Sequence, residues 1–366
     1  MKIAINALVL SEEKTGISVY AKNLIENLFK NDSHNHYFIF VRKKLIFRHF
    51  HPERHHIISL YYAKNILVRT FIEQIVLPFL LLYYRVQVLH CLSFTTPIAK
   101  FCKYIVTIHD LAYKIFPESI PKIKLLYYNF FFPLCATRAD KVIAVSENTK
   151  KDIVRFFHVQ DNNIHVIFLG VHHAFPIEKE AKDLCLPEEY LLFIGAMEPR
   201  KNLVRLIQAY SLLKNKIKEK LVLAGPKGSA YQKIMEEIEK LQLQKDILFT
   251  GYVEESLVPN LFKKAKIFIF PSLYEGFGLP VLEAMAHGTP VITTGNSSLP
   301  EVCKECAVYI EATDVEGISK AIFFLLQQQS LRESLKQKGL ERSQQFSWEK
   351  TALKTIETYH SVVFKT

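Results

Sequence analysis

The chain has 366 residues, of which 49% are hydrophobic and 23% charged, and it carries a formal net charge of +11. This length suits two domains, and the composition is that of a globular protein with enough apolar surface for two cores. The longest apolar run, Ile75–Tyr84, contains Pro78 and has about half the length of a membrane span. The sequence therefore predicts a soluble or peripheral protein.

Positive charge is concentrated in the first half of the chain. Residues 1–170 hold 22 lysines and arginines against 12 acidic residues, whereas the remainder holds 25 against 24. A basic half attracts polyanions such as an acidic membrane surface, a phosphorylated acceptor or a nucleic acid. A generally basic proteome would produce the same surplus, so charge alone leaves the partner open.

Two features predict a cytoplasmic location. The apolar start, Ile3–Leu10, contains Asn6 and runs into Ser11–Lys14 without a small-residue cleavage site, so it predicts a first β-strand and not a signal peptide. The cysteines are scattered, which is typical of reduced thiols in a long cytosolic chain. They are Cys91, Cys102, Cys135, Cys185, Cys303 and Cys306.

In chain order, short β-branched or aromatic segments alternate with longer amphipathic segments. The predicted strands of the first half are Lys2–Ile5, Tyr37–Val41, Val88–Cys91, Tyr104–Thr107, Val142–Val145 and His165–Phe168. The predicted helices there are Ser18–Phe29, Lys122–Cys135 and Glu147–Phe156, the last with Ser146 as its N-cap.

The second half repeats this alternation. Its predicted strands are Leu191–Ile194, Leu221–Ala224, Ile247–Thr250, Ile267–Phe270, Pro290–Thr293 and Val308–Ile310, and a last helix is predicted over Trp348–Val362. Continuous apolar strands separated by helices indicate parallel sheets covered on both faces, so the fold class is α/β with two doubly wound domains. We expect the ligand beyond the carboxyl ends of the strands, in the cleft between the domains.

The domain boundary is predicted within Val171–Glu189, which contains Pro176, Pro187 and mixed charge. This gives a first domain over 1–175, a second over 176–345 and a terminal helix over 346–366.

The segment Phe270–Pro290 carries the most chemical information. A buried strand ends at Phe270, and a loop with two glycines lets the backbone approach a ligand closely. The helix after Pro280 presents free N–H groups and a partial positive charge, which suit a diphosphate. Glu275 and Glu283 are acceptor-only groups that bind vicinal hydroxyls, so the pattern fits a nucleotide sugar.

A second segment, Phe193–Asn202, agrees with the first. Gly195 ends a predicted strand, and Arg200 and Lys201 come just before a helix that begins near Leu203. Two cations beside a helix N-terminus suit a diphosphate leaving group, because that group gains negative charge as its bond to the sugar breaks.

These segments resemble the E-x7-E signature and the G-x-x-x-P-R-K-N turn of retaining glycosyltransferases of the GT-B fold, family 4. The resemblance spans nearly the whole chain and includes Thr107–Leu111, whose His109 would face the donor sugar across the cleft. It implies that the first domain binds the acceptor, that the second binds the nucleotide sugar, and that the terminal helix returns to the first domain. It implies catalytic roles for His109, Glu275, Arg200 and Lys201. It implies donor binding by Gly16, Gly195, Arg200, Lys201, Gly225, Tyr252, Val253, Glu275, Gly276, Phe277, Gly278, Leu279 and Glu283.

The sequence departs from the family pattern at two places. Some relatives carry an arginine directly after the first glycine of the turn, where this chain has Ala196. Relatives usually have a second glycine near Ser18, whereas the loop Thr15–Tyr20 of this chain contains only Gly16.

The resemblance implies transfer with retention of configuration and without a metal or other cofactor, and the sequence has no Asp-x-Asp metal motif. GDP-mannose is the first candidate donor, followed by UDP-sugars and dTDP- or GDP-deoxysugars. The acceptor would be a saccharide or lipid-linked saccharide in surface polysaccharide or glycolipid synthesis. The enzyme would be cytoplasmic, either free or peripheral on the inner face of the plasma membrane through its basic first domain.

Three other functions stay open. A glycosyltransferase that modifies nucleic acid would use the basic first half, although no nucleic-acid-binding motif supports it. A catalytically silent nucleotide-sugar-binding or scaffold protein is the second alternative. Such a protein would not need all four charged residues of the two motifs, which are Arg200, Lys201, Glu275 and Glu283. An epimerase or a phosphorylase could share the two-domain frame, but no pyridoxal-bearing lysine is identifiable.

Two further patterns are interpreted as having no metal site. Cys303-x-x-Cys306 has zinc or redox spacing but no second pair, which favours an ordinary loop. The histidines between His49 and His56 lie near arginines and are interpreted as an exposed basic loop.

The aromatic and basic segment Tyr37–Phe50, together with Ile75–Tyr84, fits either a membrane interface or a core strand with a solvated turn.

Overall fold

The computed structural model describes residues 1–10, 16–43, 46–60, 66–173, 186–254 and 256–364. Thr15, Lys44, Cys185 and most of the predicted boundary segment lie outside the described residues. The chain divides into two compact units. Unit 1 comprises Met1–Gly170 and Ser347–Thr366, and unit 2 comprises Val171–Phe346.

Unit 1 is built on a parallel sheet. Within its described residues the strand order is β3-β2-β1-β4-β5-β6-β7. The strands are β1 (Lys2–Asn6), β2 (His36–Val41), β3 (His55–Ser59), β4 (Val88–Cys91), β5 (Lys103–Ile108), β6 (Lys141–Ala144) and β7 (Ile164–Val166). The order reverses beside β1, which pairs with β2 on one side and β4 on the other.

Helices lie between these strands. They are α1 (Gly16–Asn31), α2 (Ile66–Phe71), α3 (Leu77–Tyr83), α4 (Ala112–Ile115), α5 (Lys122–Arg138) and α6 (Glu147–Phe157). A π-helical turn, Ile72–Val76, joins α2 to α3. The predicted N-cap of α6 is confirmed, since Ser146 Oγ accepts a hydrogen bond from the Thr149 amide.

The last helix of the chain, α14 (Trp348–Val363), also belongs to unit 1 and packs against α1. It reaches the sheet through Tyr359, whose hydroxyl lies 2.7 Å from Nδ1 of His90 on β4. The opposite face of the same strand contributes Leu89 and Cys91 to a core that includes side chains of α3, α5 and α6. Both faces of the sheet are therefore covered, as continuous apolar strands predict.

Unit 2 repeats this architecture. Its described strands follow the order β10-β9-β8-β11-β12-β13, and all pairs are parallel. The strands are β8 (Tyr190–Ile194), β9 (Lys220–Ala224), β10 (Ile247–Gly251), β11 (Ala265–Phe270), β12 (Val291–Thr294) and β13 (Ala307–Ile310). The helices are α7 (Leu203–Ser211), α8 (Tyr231–Lys240), α9 (Val258–Lys264), α10 (Leu279–Ala286), α11 (Leu299–Cys303), α12 (Val315–Gln327) and α13 (Gln329–Ser343).

The interpretation of the histidine segment as an exposed loop is wrong for its second half. His55 and His56 begin β3, and the ring of His55 is buried and stacked on Phe29 with centroids 3.7 Å apart. A neutral imidazole ring packs well against an aromatic ring, and burial lowers the pKa of His55 to about 4. His55–Ser59 is thus a strand, and its first side chain, His55, is buried.

Candidate active site

Three charged side chains meet at the carboxyl edge of the unit 2 sheet. Arg200 and Lys201 lie in a short 3-10 turn after β8, and Glu275 lies in the loop after β11. Since β8 and β11 are parallel neighbours, their carboxyl ends lie side by side. Glu275 Oε1 is 2.6 Å from Lys201 Nζ, and Oε2 is 3.2 Å from Arg200 Nη1.

This ion pair is enclosed by protein. Lys201 is 6% exposed and Glu275 is 7% exposed, and the Lys201 ammonium lies 4.7 Å from the centroid of the Phe270 ring. Burial alone would raise the pKa of Glu275, but the cations of Lys201 and Arg200 hold it below its ordinary value. Glu275 is therefore kept as a carboxylate.

The two loops are fixed to each other by neutral hydrogen bonds. The Arg200 carbonyl accepts a hydrogen bond from the Leu273 amide at 2.8 Å. Asn202 adopts a left-handed conformation with φ of 61°, and its Nδ2 donates to the carbonyls of Pro271 and Ala312 at 3.1 and 2.7 Å. Asparagine tolerates this conformation better than most residues, which explains its place after Lys201.

A serine pair holds the Glu275 backbone from the other side. The Glu275 amide donates to Ser297 Oγ, and Ser298 Oγ donates to the Glu275 carbonyl, each at 3.0 Å. Gly278 then starts α10 with φ of 100°, and a Cβ there would lie 2.7 Å from Leu299 Cδ2. Another residue at position 278 would strain the backbone and clash, so the sequence needs glycine there.

Helix α10 follows directly, with Pro280 in its first turn as predicted. Glu283 is half-buried on this helix, one turn beyond Leu279. Between Glu275 and the helix, Gly276 and Phe277 are buried, and the Phe277 ring packs edge-on against Phe346 at 6.0 Å. The loop thus presents its backbone at the start of α10, where anions are stabilised.

The other predicted donor residues of unit 2 lie at the ends of β8, β9 and β10. Gly195 donates its amide to the Ala224 carbonyl, and Gly225 donates to the Gly251 carbonyl. Lys201 Cε would lie 3.9 Å from a Cβ on Gly195, which places this glycine beside the charged cluster. Tyr252, directly after β10, is exposed, and Val253 is half-buried.

His109 and Gly16 belong to unit 1. His109 follows β5, is 9% exposed, and its Nε2 lies 2.9 Å from the carbonyl oxygen of Leu92. A carbonyl can only accept, so Nε2 carries the proton and Nδ1 of the neutral ring is an acceptor. Burial lowers the pKa of His109, and the Tyr20 ring packs edge-on against it at 4.8 Å. Gly16 is the exposed first residue of α1.

The structure thus brings Arg200, Lys201, Glu275 and Gly195 together. It places the remaining predicted residues of unit 2 after strands of the same sheet, in the loop before α10 or on α10 itself. Sequence reasoning missed the supporting residues Asn202, Ser297 and Ser298. Asn202 stands within the recognised turn, but its function depends on carbonyls far away in the chain. Within the residues that the structure describes, no cluster of three metal-ligating side chains occurs.

Comparison with known proteins agrees with this geometry. A model of the group 1 glycosyl transferases matches residues 174–342, and a model of glycosyltransferase family 4 matches residues 14–175. The O-antigen chain mannosyltransferase B of Escherichia coli is 34% identical over 266 residues, which cover 70% of this chain and 69% of that protein. The chain belongs to the group 1 glycosyltransferases of family 4. The resemblance found in the sequence and the predicted enzyme class are confirmed.

Solved structures share the fold of this glycosyltransferase. Sucrose-phosphate synthase (tll1590) from Thermosynechococcus elongatus superimposes with a TM-score of 0.81 at 21% identity, covering 99% of this chain and 98% of that one. Anabaena Alr3699/HepE in complex with UDP and glucose gives a TM-score of 0.75 at 17% identity, covering 99% of this chain and 100% of that one. The predicted fold of two Rossmann-like parallel-sheet domains, GT-B, is confirmed.

Among the described parts of this glycosyltransferase, helices of sufficient length and hydropathy to cross a bilayer are absent.

Proposed function

We propose that this glycosyltransferase moves a mannosyl group, with retention of configuration, from GDP-mannose to a saccharide or lipid-linked saccharide acceptor in surface polysaccharide synthesis. The observation that carries the proposal is the buried contact of Glu275 with Lys201 and Arg200. Its Escherichia coli relative, an O-antigen chain mannosyltransferase, supports the choice of sugar. HepE, whose structure contains UDP and glucose, shares the fold of this chain. This likeness supports a nucleotide-bound donor but does not indicate which base the donor carries.

Arg200, Lys201 and the start of α10 stabilise the diphosphate as it leaves. Negative charge grows on the leaving group while the bond to the sugar breaks, and preorganised cations stabilise that charge without reorganising. Glu275 compensates the charges of Lys201 and Arg200 while the site is empty and hydrogen-bonds the hydroxyls of the donor sugar when it is filled. Glu283 binds the ribose hydroxyls, and the backbone around Tyr252 and Val253 contacts the base.

His109 serves the reaction from unit 1. Its proton is fixed on Nε2 by the Leu92 carbonyl, so Nδ1 accepts a hydrogen bond from a sugar hydroxyl. The protein cations supply the positive charge that a divalent metal supplies in other transferases, and we propose that no metal or other cofactor takes part.

We also propose that unit 1 contacts the inner face of the plasma membrane. Its helices α3 and α5 expose large apolar side chains to solvent. They are Phe79, Leu82 and Tyr83 on α3, and Ile123, Leu126 and Phe130 on α5. A contact of 3.4 Å between Thr70 Oγ1 and the Tyr127 hydroxyl joins α2 to α5, and α2 leads into α3. Exposed Lys122 and Lys124 border the apolar side chains, an arrangement that suits an anionic bilayer.

A donor screen tests the proposed reaction. The purified chain is heated with GDP-, UDP- and dTDP-sugars, and GDP-mannose is expected to raise the melting temperature most, because a ligand at a hundred times its Kd adds about 2.7 kcal/mol of stability. Release of mannose from bound GDP-mannose then separates an enzyme from a catalytically silent binding protein. A shift with UDP- or dTDP-sugars alone would contradict the proposed donor, and no shift with any of them would contradict the function.

A further inference from the structure

A second polar cluster lies at the carboxyl edge of the unit 1 sheet. Glu73 is 1% exposed, and both of its oxygens are occupied. Oε1 accepts from Arg69 Nε at 3.0 Å and from Asn6 Nδ2 at 3.1 Å, and Oε2 accepts from Thr95 Oγ1 at 3.0 Å. Glu73 therefore holds Arg69 in place between the end of β1 and the loop after β4.

The backbone at Glu73 departs from α-helical geometry. Glu73 is the second residue of the π-helical turn Ile72–Val76, which interrupts an otherwise continuous helical stretch. Single π turns are uncommon and occur frequently at functional sites. Here the turn carries a carboxylate into the protein interior and directs one arginine to the sheet edge, where the ligands of parallel sheets bind.

Arg69 keeps binding capacity after these contacts. Its side chain is 27% exposed, and Nη2 donates to Ser93 Oγ at 3.2 Å and lies 3.4 Å from Thr95 Oγ1. Nη1 has no hydrogen-bond partner among the described residues. An arginine can only donate, so the Ser93 hydroxyl accepts from it and keeps its own hydrogen, for which the described residues provide no acceptor. Two donors, Arg69 Nη1 and Ser93 Oγ, are left for a ligand.

One of these two donors, Ser93, is the chain neighbour of a residue that contacts His109. Ser93 follows Leu92, whose carbonyl fixes the His109 ring, and consecutive Cα atoms are about 3.8 Å apart. Ser93 is therefore bonded directly to the residue that holds His109, the histidine proposed to serve the reaction. The charge of Arg69 is balanced by Glu73, so the cluster offers hydrogen-bond donors without a net positive charge. It suits the oxygen of a neutral hydroxyl better than a phosphate.

We infer that Arg69 and Ser93 bind hydroxyl groups of the acceptor saccharide, with Glu73 as the residue that positions Arg69. The inference rests on the proposed function, since it assigns the acceptor of that reaction to this cluster. It places the acceptor on unit 1, while the donor residues Arg200, Lys201 and Glu275 are on unit 2.

The test measures sugar binding directly, on the full chain saturated with GDP. Saturation-transfer NMR is recorded with the methyl α-pyranosides of mannose, glucose and galactose. Ser93→Ala leaves the ion pair intact and is expected to weaken binding of the preferred pyranoside about fivefold, as for one neutral hydrogen bond. Arg69→Gln combined with Glu73→Gln removes both charges together and is expected to weaken it at least about tenfold. Arg85→Gln, an exposed arginine just after α3, is the control and keeps wild-type affinity.

The outcomes separate this inference from the proposed function. A GDP-induced rise in melting temperature equal to that of the wild type shows that each variant is folded and that its donor site is intact. Unchanged pyranoside affinity in Ser93→Ala and in the double variant would overturn the inference, and so would a wild-type chain that binds none of the three sugars. Displacement of the pyranoside by inorganic phosphate, lost in the double variant, would show an anion site in place of a saccharide site. The proposed function fails separately, if GDP-mannose neither stabilises the wild type nor loses its mannose.

Discussion

At the scale of single residues, Glu275 combines two functions that substitution can separate. It balances the buried charge of Lys201, and in the proposed reaction it binds the donor sugar. Glu275→Gln leaves Lys201 without a counter-ion, so we expect the free energy of unfolding to fall by about 3–5 kcal/mol and transfer to be lost. Urea unfolding and initial transfer rates measure the two effects.

The matched control for this prediction removes both charges. Lys201→Met with Glu275→Gln replaces the ammonium by an unbranched apolar chain, so most of the stability is expected to return while the transfer rate stays low. The cycle of single and double variants measures the coupling between the two side chains. Recovery of the transfer rate in the double variant would show that neither Glu275 nor Lys201 acts directly on the donor.

At the scale of elements, the start of α14 leaves no space beside Gly170. A Cβ at position 170 would lie 2.1 Å from the Trp348 nitrogen and 2.4 Å from the Ser347 carbonyl carbon. Gly170→Ala is therefore expected to displace the first turn of α14 and to speed amide hydrogen exchange over Trp348–Val363. Gly16→Ala, where an added Cβ meets nothing within 4 Å, is the control. Equal exchange over α14 in the two variants would show that the helix start adapts without cost.

The outer face of α5 gives a second prediction at this scale. Phe130→Asp places a charge within the exposed apolar surface of unit 1, so binding to vesicles with anionic lipid is expected to fall by at least about tenfold. Phe324→Asp changes another exposed phenylalanine, on α12 of unit 2, and is expected to leave vesicle binding unchanged. Vesicle co-sedimentation measures both variants, and equal losses in the two would argue against a membrane surface on α3 and α5.

At the scale of the whole molecule, hydropathy and spacing were enough to predict most of the architecture. The twelve predicted strands all occur, with ends shifted by a few residues, because buried parallel strands are continuous apolar segments. The strand β3 was missed because its sequence, His-His-Ile-Ile-Ser, indicates a polar loop until Phe29 is seen to stack on His55. A burial that depends on a distant partner cannot be recognised locally.

The candidate site shows the same limit. The motifs identified Arg200, Lys201 and Glu275 as members of one site, but not that the carboxylate would bind both cations, since these residues are more than 70 positions apart. The supports from Asn202, Ser297 and Ser298 join loops after different strands, and the π turn at Glu73 depends on Asn6 and Thr95. Such contacts depend on the tertiary structure and cannot be predicted from the local propensities of the sequence.

The buried histidines make the stability of the whole chain depend on pH. Burial lowers the pKa of His90 to about 3 and that of His55 to about 4, and it also lowers the pKa values of His109 and His165. Each of these groups therefore binds a proton less readily in the folded protein than in the unfolded chain, where its ordinary pKa is about 6.5. The unfolded state therefore binds more protons as the pH falls, and the free energy of unfolding decreases.

His90 gives this dependence a measurable size. It is fully buried between Tyr359 and Thr107, so at pH 5 its contribution to the free energy of unfolding is expected to be about 2 kcal/mol smaller than at pH 7.5. His90→Gln retains a side chain that can hydrogen-bond but removes the titration, and should therefore lose about 2 kcal/mol less than the wild type between these two pH values. Urea unfolding at both pH values gives the difference, and because slopes are compared, a general loss of stability in the variant does not affect the result. Identical decreases in variant and wild type would mean that His90 is protonated in the folded chain as readily as in the unfolded one.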